Sequence, residues 1–426
     1  MSTPYVEMSK EQLEKEYSII KEEYNNYKSK NLSLDMSRGK PSPDQLDLSL
    51  PMMDILTGTS DYQTDIDCRN YGGPQGIKEA KKLMADMMSV DPDNIIIFGN
   101  SSLNVMYDIV ATAFVKGIMG NTPWSKLDKV KFLCPVPGYD RHFAITEYFG
   151  VEMISIPMTE DGPDMDLVAE YVNNDESVKG MWCVPMYSNP LGTTYSDETV
   201  RKIAALKPAA KDFRIIWDNA YCVHHIYEDK QDSLLDIFAE CDKCGNSDMV
   251  YMLASTSKIT FPGSGISALA TSANNIKDVM SRVTWQTIGH DKINQLRHVR
   301  FLKDLDGIRI HMAKHADLIR PKFELVLDIL DKELGDLNIG TWKKPNGGYF
   351  ISFDSMDGCA KSIVSKAKEA GVVMTGAGAT YPYHNDPKDS NIRIAPTYPS
   401  LEELSIAAKL FTVCVKLVSL EKLLNI

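Results

Sequence analysis

Positive charge is in short supply in this chain. Forty-six lysines and arginines stand against 58 aspartates and glutamates, a formal charge of -12 over 426 residues. A nucleic-acid-binding protein normally presents a basic face, so this balance argues against one while leaving room for a local basic pocket. No uninterrupted apolar run approaches the roughly 18 residues of a membrane span. The opening Met1-Ser2-Thr3-Pro4-Tyr5 lacks the basic-then-apolar order of a secretory leader, and a cytoplasmic protein is expected. Internal repeats and low-complexity segments are missing, and residues 1–60 are too few and too poorly patterned for a DNA-reading module. Cysteines are few and scattered, and Cys134 and Cys183 fall in apolar runs where they read as small buried hydrophobes. Cys241-Asp242-Lys243-Cys244 is a lone C-x-x-C, and a tetrahedral zinc site needs four ligands. No second such pair follows, and His224 and His225 are adjacent rather than one helical turn apart, so no metal is expected.

What is present is the composition of a globular protein, 43% hydrophobic and 24% charged, on a chain too long for one ordinary core. Residues 9–29 are periodic enough for a helix. Short apolar runs then alternate with helix-like segments: Asn94–Phe98, Val130–Cys134, Val151–Ile156, Gly180–Val184, Phe213–Trp217, Met249–Leu253 and Ile266–Thr271. That alternation is the signature of β-α units on a buried sheet. The fold class expected is α/β: a large domain with a seven-stranded, mainly parallel sheet flanked by helices, plus a smaller α+β domain. The large domain is assigned residues 60–305. The small one takes 306–426, with a long helix from Gly307 to Leu334, strands at Gly348–Phe353, Val372–Thr375 and Asn391–Ile394, and a last helix near Leu401–Leu420. Residues 1–59 return to it.

Open α/β sheets bind ligands beyond the carboxyl ends of their strands, and several polar motifs occupy such ends. Lys258, in Ser255-Thr256-Ser257-Lys258, follows the run Met249–Leu253. Its amine can form an imine with an aldehyde, and the neighbouring hydroxyls can bind phosphate. Asp218 closes the run Phe213–Trp217 and can pair with a protonated pyridine nitrogen. A lysine and a carboxylate so placed are the two fixed points needed to hold pyridoxal phosphate. Gly99-Asn100-Ser101-Ser102 opens a helix, where free N–H groups and two hydroxyls make an anion cradle; plain N-capping by serine is the simpler reading. Asn189, in Asn189-Pro190-Leu191-Gly192, is a turn residue or a ring contact. Tyr221, three residues after Asp218, either packs or meets the other edge of the same ring. Arg393 sits between Ile392 and Ile394 and needs an anionic partner, supplied by a structural carboxylate or by a ligand.

The order of these motifs resembles that of the class I/II aminotransferases, the fold-type-I pyridoxal-phosphate enzymes, over roughly residues 31–420. The wording of Ser37-Arg38-Gly39-Lys40-Pro41, Tyr71-Gly72-Gly73-Pro74-Gln75-Gly76 and Ser101-Ser102-Leu103-Asn104 is similar to a bacterial aspartate-aminotransferase subgroup. That subgroup is related to the aminotransferase-like domain of MocR regulators. The resemblance implies that Lys258 carries the internal aldimine and moves the proton between Cα and C4′, while Asp218 keeps the ring nitrogen protonated. It implies that Asn189 and Tyr221 bind the ring oxygen, and that Ser101, Ser102, Ser255 and Ser257 hold the phosphate. Tyr139 would stack on the ring, and Tyr71 would reach the phosphate of the other subunit of a homodimer. Gly39, Asn189 and Arg393 would receive the substrate α-carboxylate, with Arg38 or Arg141 meeting a side-chain carboxylate.

One position departs from the family pattern. Where an arginine usually pairs with the phosphate, eight residues after the lysine, this chain has Ile266. Either a cation from a distant segment or a fuller set of neutral donors is expected instead. The activity implied is transfer of an amino group, from aspartate to 2-oxoglutarate, by a ping-pong mechanism. A 2-aminoadipate or aromatic aminotransferase and a C–S lyase are the nearest alternatives. A ligand-sensing regulator without turnover is the alternative outside enzymes, and it would need a basic DNA-reading module.

Overall fold

The computed structural model describes residues 3–426. Met1 and Ser2, the first residues of the segment read for a leader, lie outside it. The strands in chain order are β1 (Leu34–Asp35), β2 (Ile95–Phe98), β3 (Lys131–Val136), β4 (Glu152–Pro157), β5 (Val178–Cys183) and β6 (Arg214–Asp218). They continue as β7 (Val250–Ser255), β8 (Ser267–Ala270), β9 (Gly340–Trp342), β10 (Ile351–Ser355), β11 (Val372–Val373) and β12 (Asn391–Ile394).

Seven of them form one sheet in the order β2-β8-β7-β6-β5-β3-β4. Pairing from β7 across to β4 is parallel, whereas β8 runs antiparallel to both its neighbours. The sheet is therefore α/β and mainly parallel, as expected. The exception has a simple cause: a parallel return needs a crossover, usually a helix, and the link from Ser255 to Ser267 contains none. Strands β5 and β6 are buried along their whole length, which explains why they read as continuous apolar runs rather than alternating ones. Alternate residues still part to opposite faces. Ile95, Ile97, Ile215 and Trp217 join one core layer, and Ile96, Phe98, Ile216 and Trp182 join the other.

A separate core gathers the remaining elements. The helix Lys10–Lys28 contributes Leu13, Ile20 and Tyr24, and packs with the helix Leu401–Leu424 against the antiparallel sheet β12-β10-β9. The N-terminal segment thus returns to the C-terminal part, and β1 pairs in parallel with β11. The helix Leu305–Leu334 spans both cores: Ile308 and Met312 belong to the first, Ile319 and Phe323 to the second. We propose that the domain boundaries lie at 59/60 and 305/306, with the first turns of this helix reaching back onto the large domain.

The topology brings the polar motifs to one edge. Asp218 ends β6, Lys258 follows β7, Ser101 follows β2, Tyr139 follows β3 and Asn189 follows β5. Among the described residues, no helix is long and apolar enough to cross a membrane.

Candidate active site

At the carboxyl ends of the parallel strands lies a cavity of ≈ 160 Å³. Its wall includes Ser101, Ser102, Tyr139, Asn189, Asp218, Tyr221, Ser255, Ser257 and Lys258. Nine residues singled out from the sequence, spread over more than 150 positions, are thus brought together. A larger surface cleft of ≈ 730 Å³, beside Asp86, Asp236 and Asp304, is lined by carboxylates and hydroxyls with no lysine, histidine or cysteine on its wall, and offers no comparable chemistry.

Lys258 sits in the turn after β7 with its Nζ 5.1 Å from the centre of the Tyr221 ring and 5.8 Å from that of Tyr349. Burial lowers its pKa below the ordinary lysine value, the Asp218 carboxylate opposes that shift, and Arg393 adds to it. The peptide behind it is gripped by groups that the sequence did not single out. Tyr349 Oη donates a long bond, 3.5 Å, to the Lys258 carbonyl, and His311 Nε2 lies 2.8 Å from the Ile259 carbonyl. Gln45 links the two arms, with its Nε2 3.0 Å from Tyr349 Oη and 3.1 Å from His315 Nδ1. Burial pushes His315 down to about 4, so both imidazoles in this wall are neutral near pH 7.

Asp218 is buried, and its two oxygens have different fates. Oδ2 accepts from His142 Nε2 at 3.0 Å, and the His142 ring stacks on Trp182 at 4.5 Å and 11°. Oδ1 is buried without any partner. A buried acceptor left unmade costs on the order of 1–3 kcal/mol, more if charged, so an orphan on a cavity-lining carboxylate marks a place for a donor. The N–H of a protonated pyridine fits it. His142 had no signal in the sequence, because a lone histidine in Asp140-Arg141-His142-Phe143 reads as helix surface or core. Its partner stands 76 residues away.

Tyr221 is fully buried, and burial, with the charges of its neighbours Tyr139 and Asp218, raises its phenol well above the usual value. It is therefore a neutral O–H donor. Asn189 Oδ1 accepts from Arg393 Nη1 at 3.3 Å, which leaves its Nδ2 as the donating side of the amide. Tyr139 lies on the cavity wall, with its phenol raised to about 12, chiefly by burial.

The serine end accounts for the missing arginine. Ser101 is the N-cap of the helix Ser102–Lys116 yet makes no side-chain capping bond, so its hydroxyl is not spent as the simpler reading supposed. The first-turn N–H groups of that helix add donors. Ser255 Oγ donates to Ser257 Oγ at 3.0 Å, and Ser257 Oγ donates to the Asn100 carbonyl at 3.1 Å, tying the two turns together. Ile266 is in the core at 1% exposure, its N–H donating to Thr256 Oγ1. A Cβ on the preceding Gly265 would already lie 3.0 Å from Thr256 Oγ1, so this segment is packed too closely to carry a long cation back to the cavity. Among the described residues the cavity wall carries one basic side chain, Lys258, beside the four serines.

Arg393 has a structural carboxylate, one of the two partners expected for it. Its Nη1 forms an ion pair with Asp140 Oδ1 at 2.8 Å, and its Nη2 lies 3.4 Å from Thr375 Oγ1. That pair is what a dry guanidinium requires, an anion beside it. Phe350 backs the group, 4.9 Å from ring centre to guanidinium carbon. Gly39 lies against Phe350, where a Cβ would fall 2.3 Å from Phe350 Cζ, so Gly39 is required by packing behind Arg393. Arg38 and Arg141 are not gathered in: both are exposed and neither lines the cavity, since no buried anion repays the removal of a guanidinium from water. Tyr71 is 81% exposed and also stands off the wall of its own chain.

Comparison with known proteins places these features in context. The family model described as aspartate amino-transferase matches residues 8–426. A putative aminotransferase of Mycolicibacterium smegmatis is 44% identical over 422 residues, 98% of each chain. An aspartate aminotransferase of Corynebacterium glutamicum is 44% identical over 409 residues, 95% of this chain and 94% of the relative. The crystal structure of an aspartate transaminase from Corynebacterium glutamicum superposes with a TM-score of 0.96 at 43% identity, covering 99% of this chain and 100% of that one.

Proposed function

This chain belongs to the aspartate amino-transferase family and is an aminotransferase, and from that premise we propose that it moves the amino group of aspartate to 2-oxoglutarate by a ping-pong mechanism on pyridoxal phosphate. The observation that carries the reading is the unpartnered Asp218 Oδ1 on the same cavity wall as the buried Lys258 amine.

When bound, pyridoxal phosphate supplies a conjugated pyridinium that takes up the electron pair left as a proton departs from substrate Cα. Lys258 Nζ is the group that would hold the cofactor covalently and would carry the proton to and from substrate Cα. Its depressed pKa leaves a larger neutral, basic fraction near pH 7 than an exposed lysine has. Asp218 Oδ1 accepts the ring N–H, and His142, fixed against Trp182, holds Oδ2 so that the carboxylate cannot turn away. Asn189 Nδ2 and the neutral Tyr221 O–H donate to the ring oxygen. Tyr139 covers the ring face and limits water. Ser101, Ser102 and the helix start would bind the phosphate, Ser255 and Ser257 would turn their hydroxyl hydrogens to it from the bonds that tie the two turns together, and Gly39, Asn189 and Arg393 would take the substrate α-carboxylate. With Arg38 and Arg141 both in solvent, the receptor for a side-chain carboxylate in this reading comes from elsewhere, and a shared site in a homodimer, with Tyr71 reaching across, supplies a route. A fully active monomer in sedimentation at micromolar concentration would remove that part of the proposal.

The visible spectrum tests the function directly. The purified protein is expected to absorb in the visible, to lose that band on addition of aspartate, and to recover it with 2-oxoglutarate. A spectrum unmoved by aspartate but shifted by 2-aminoadipate or an aromatic amino acid would reassign the donor.

The phosphate cradle makes a separate prediction. With neutral donors in place of an arginine, each hydroxyl carries more of the binding. Ser255→Ala is expected to raise the dissociation constant for pyridoxal phosphate about tenfold, the value of one hydrogen bond to a charged group. Titration of the cofactor-free protein measures it, and an unchanged constant would take Ser255 out of the cradle.

A further inference from the structure

Asp140 occupies Arg393 in a way that the proposed reaction does not use. Arg393 is buried at 7% exposure and does not line the cavity, whereas Asn189, which shares its Nη1, does. The guanidinium thus lies behind two acceptors, Asp140 Oδ1 at 2.8 Å and Asn189 Oδ1 at 3.3 Å. Its remaining bonds are poor: Nη2 reaches Thr375 Oγ1 at 3.4 Å, and Nε is buried without a partner. The Asp140 side chain keeps 26% of its exposure, against 8% for that of Arg393, so the carboxylate is the partner with room to swing.

We propose that Asp140 is the resident anion of Arg393, a carboxylate that an incoming substrate must displace, and that it thereby sets the affinity for carboxylate substrates. This rests on the reading of Arg393 as the α-carboxylate receptor. A guanidinium held by a neighbouring carboxylate is stable while no substrate is bound, and it avoids an uncompensated buried charge. The cost falls on the ligand, because only the fraction of molecules with Asp140 withdrawn can accept it. Once displaced, Asp140 remains at the first turn of the helix Asp140–Tyr148, next to the unpaired N–H groups that favour a carboxylate. The exchange replaces one carboxylate on the guanidinium by another, so the site stays electrically matched throughout. It also discriminates: an amine without an α-carboxylate has nothing with which to displace Asp140.

The test uses holoenzyme and succinate, a dicarboxylate that cannot react, titrated by the visible spectrum. Asp140→Asn keeps the shape and removes the charge, and it is expected to lower the succinate dissociation constant about five- to tenfold, the difference between a charged and a neutral acceptor on a guanidinium. KM for both the amino acid and the oxo acid should fall with it, while kcat and retention of the cofactor change far less. Asp140→Ser serves as the second variant, with the melting temperature of each measured as a check on folding. Unchanged or weaker succinate binding in both variants would overturn the proposal, the latter by showing Asp140 to be a permanent support that orients Arg393. Arg393→Ala separates the two ideas. If it binds succinate as well as the parent does, Arg393 is not the receptor, whatever Asp140 does. If it binds poorly while Asp140→Asn brings no gain, the exchange alone fails.

Discussion

Replacing Lys258 by alanine is expected to lower transamination by on the order of 10⁴-fold, the upper range for loss of a positioned acid–base group, while the fold stands. The side chain is half-buried on the cavity wall, and removal of its amine from water is what depresses its pKa. A lysine depressed in the folded state favours its neutral form there, so the unfolded chain binds more protons between the depressed value and the ordinary 10.5. The stability of the cofactor-free protein should therefore rise with pH across that window, since ∂ΔG/∂pH takes the sign of the extra protons on the unfolded state. Lys258→Ala should lose that part of the rise. Denaturant melts at several pH values, together with turnover, measure both effects. Turnover close to that of the parent protein would refute the assignment of Lys258.

Asp218→Asn should act almost wholly on kcat, lowering it about 10²–10³-fold, the cost of removing one preorganised electrostatic partner from a reacting group. Asparagine still offers His142 an acceptor in place of Oδ2, so the packing of His142 on Trp182 is retained. What disappears is the negative charge that keeps the ring nitrogen protonated. An interaction made mainly in the transition state lowers kcat and kcat/KM together, whereas one made equally in both states raises KM alone. Rapid-mixing measurement of the Cα proton-transfer step separates them. A change confined to KM would make Asp218 a structural carboxylate.

The large sheet was legible because both its faces are covered. Most of its strands are largely apolar runs, with the edge strand β4 alternating instead, and seven runs in the sequence became seven strands with ends displaced by at most a few residues. The direction of β8 could also have been read, from a link without a helix, and was not. Leu34–Asp35 and Gly340–Trp342 were missed because such short strands carry no pattern; they exist through partners such as Val372 and Phe353, far along the chain. The site divides in the same way. Lys258, Asp218, Asn189, Tyr221 and the serines follow strands, and their positions come from the topology. Asp140 and His142 lie on a helix, and their roles arise from contacts with Arg393 and Asp218, at 253 and 76 residues' distance. Arg38 and Arg141, close to motifs in sequence, stand exposed and off the cavity wall of their own chain.

The wall behind Lys258 has a consequence of its own, visible in where its protons must sit. An amide that can flip, a phenol that can rotate and two imidazoles with two tautomers each would ordinarily share many arrangements. Here the Ser42 N–H donates to Gln45 Oε1 at 3.1 Å and forbids the flip. Both hydrogens of Gln45 Nε2 are then committed, to Tyr349 Oη and to His315 Nδ1, which puts the His315 proton on Nε2. The phenol in turn directs its hydrogen to the Lys258 carbonyl, and the Ile259 carbonyl accepts from the imidazole edges. One backbone N–H thus fixes the amide and, through it, the tautomer of His315, whose Nε2 hydrogen faces the Nε2 of His311 at 3.1 Å. The amine of Lys258 lies on the cavity wall, while this network meets only the peptide behind it, at the Lys258 and Ile259 carbonyls.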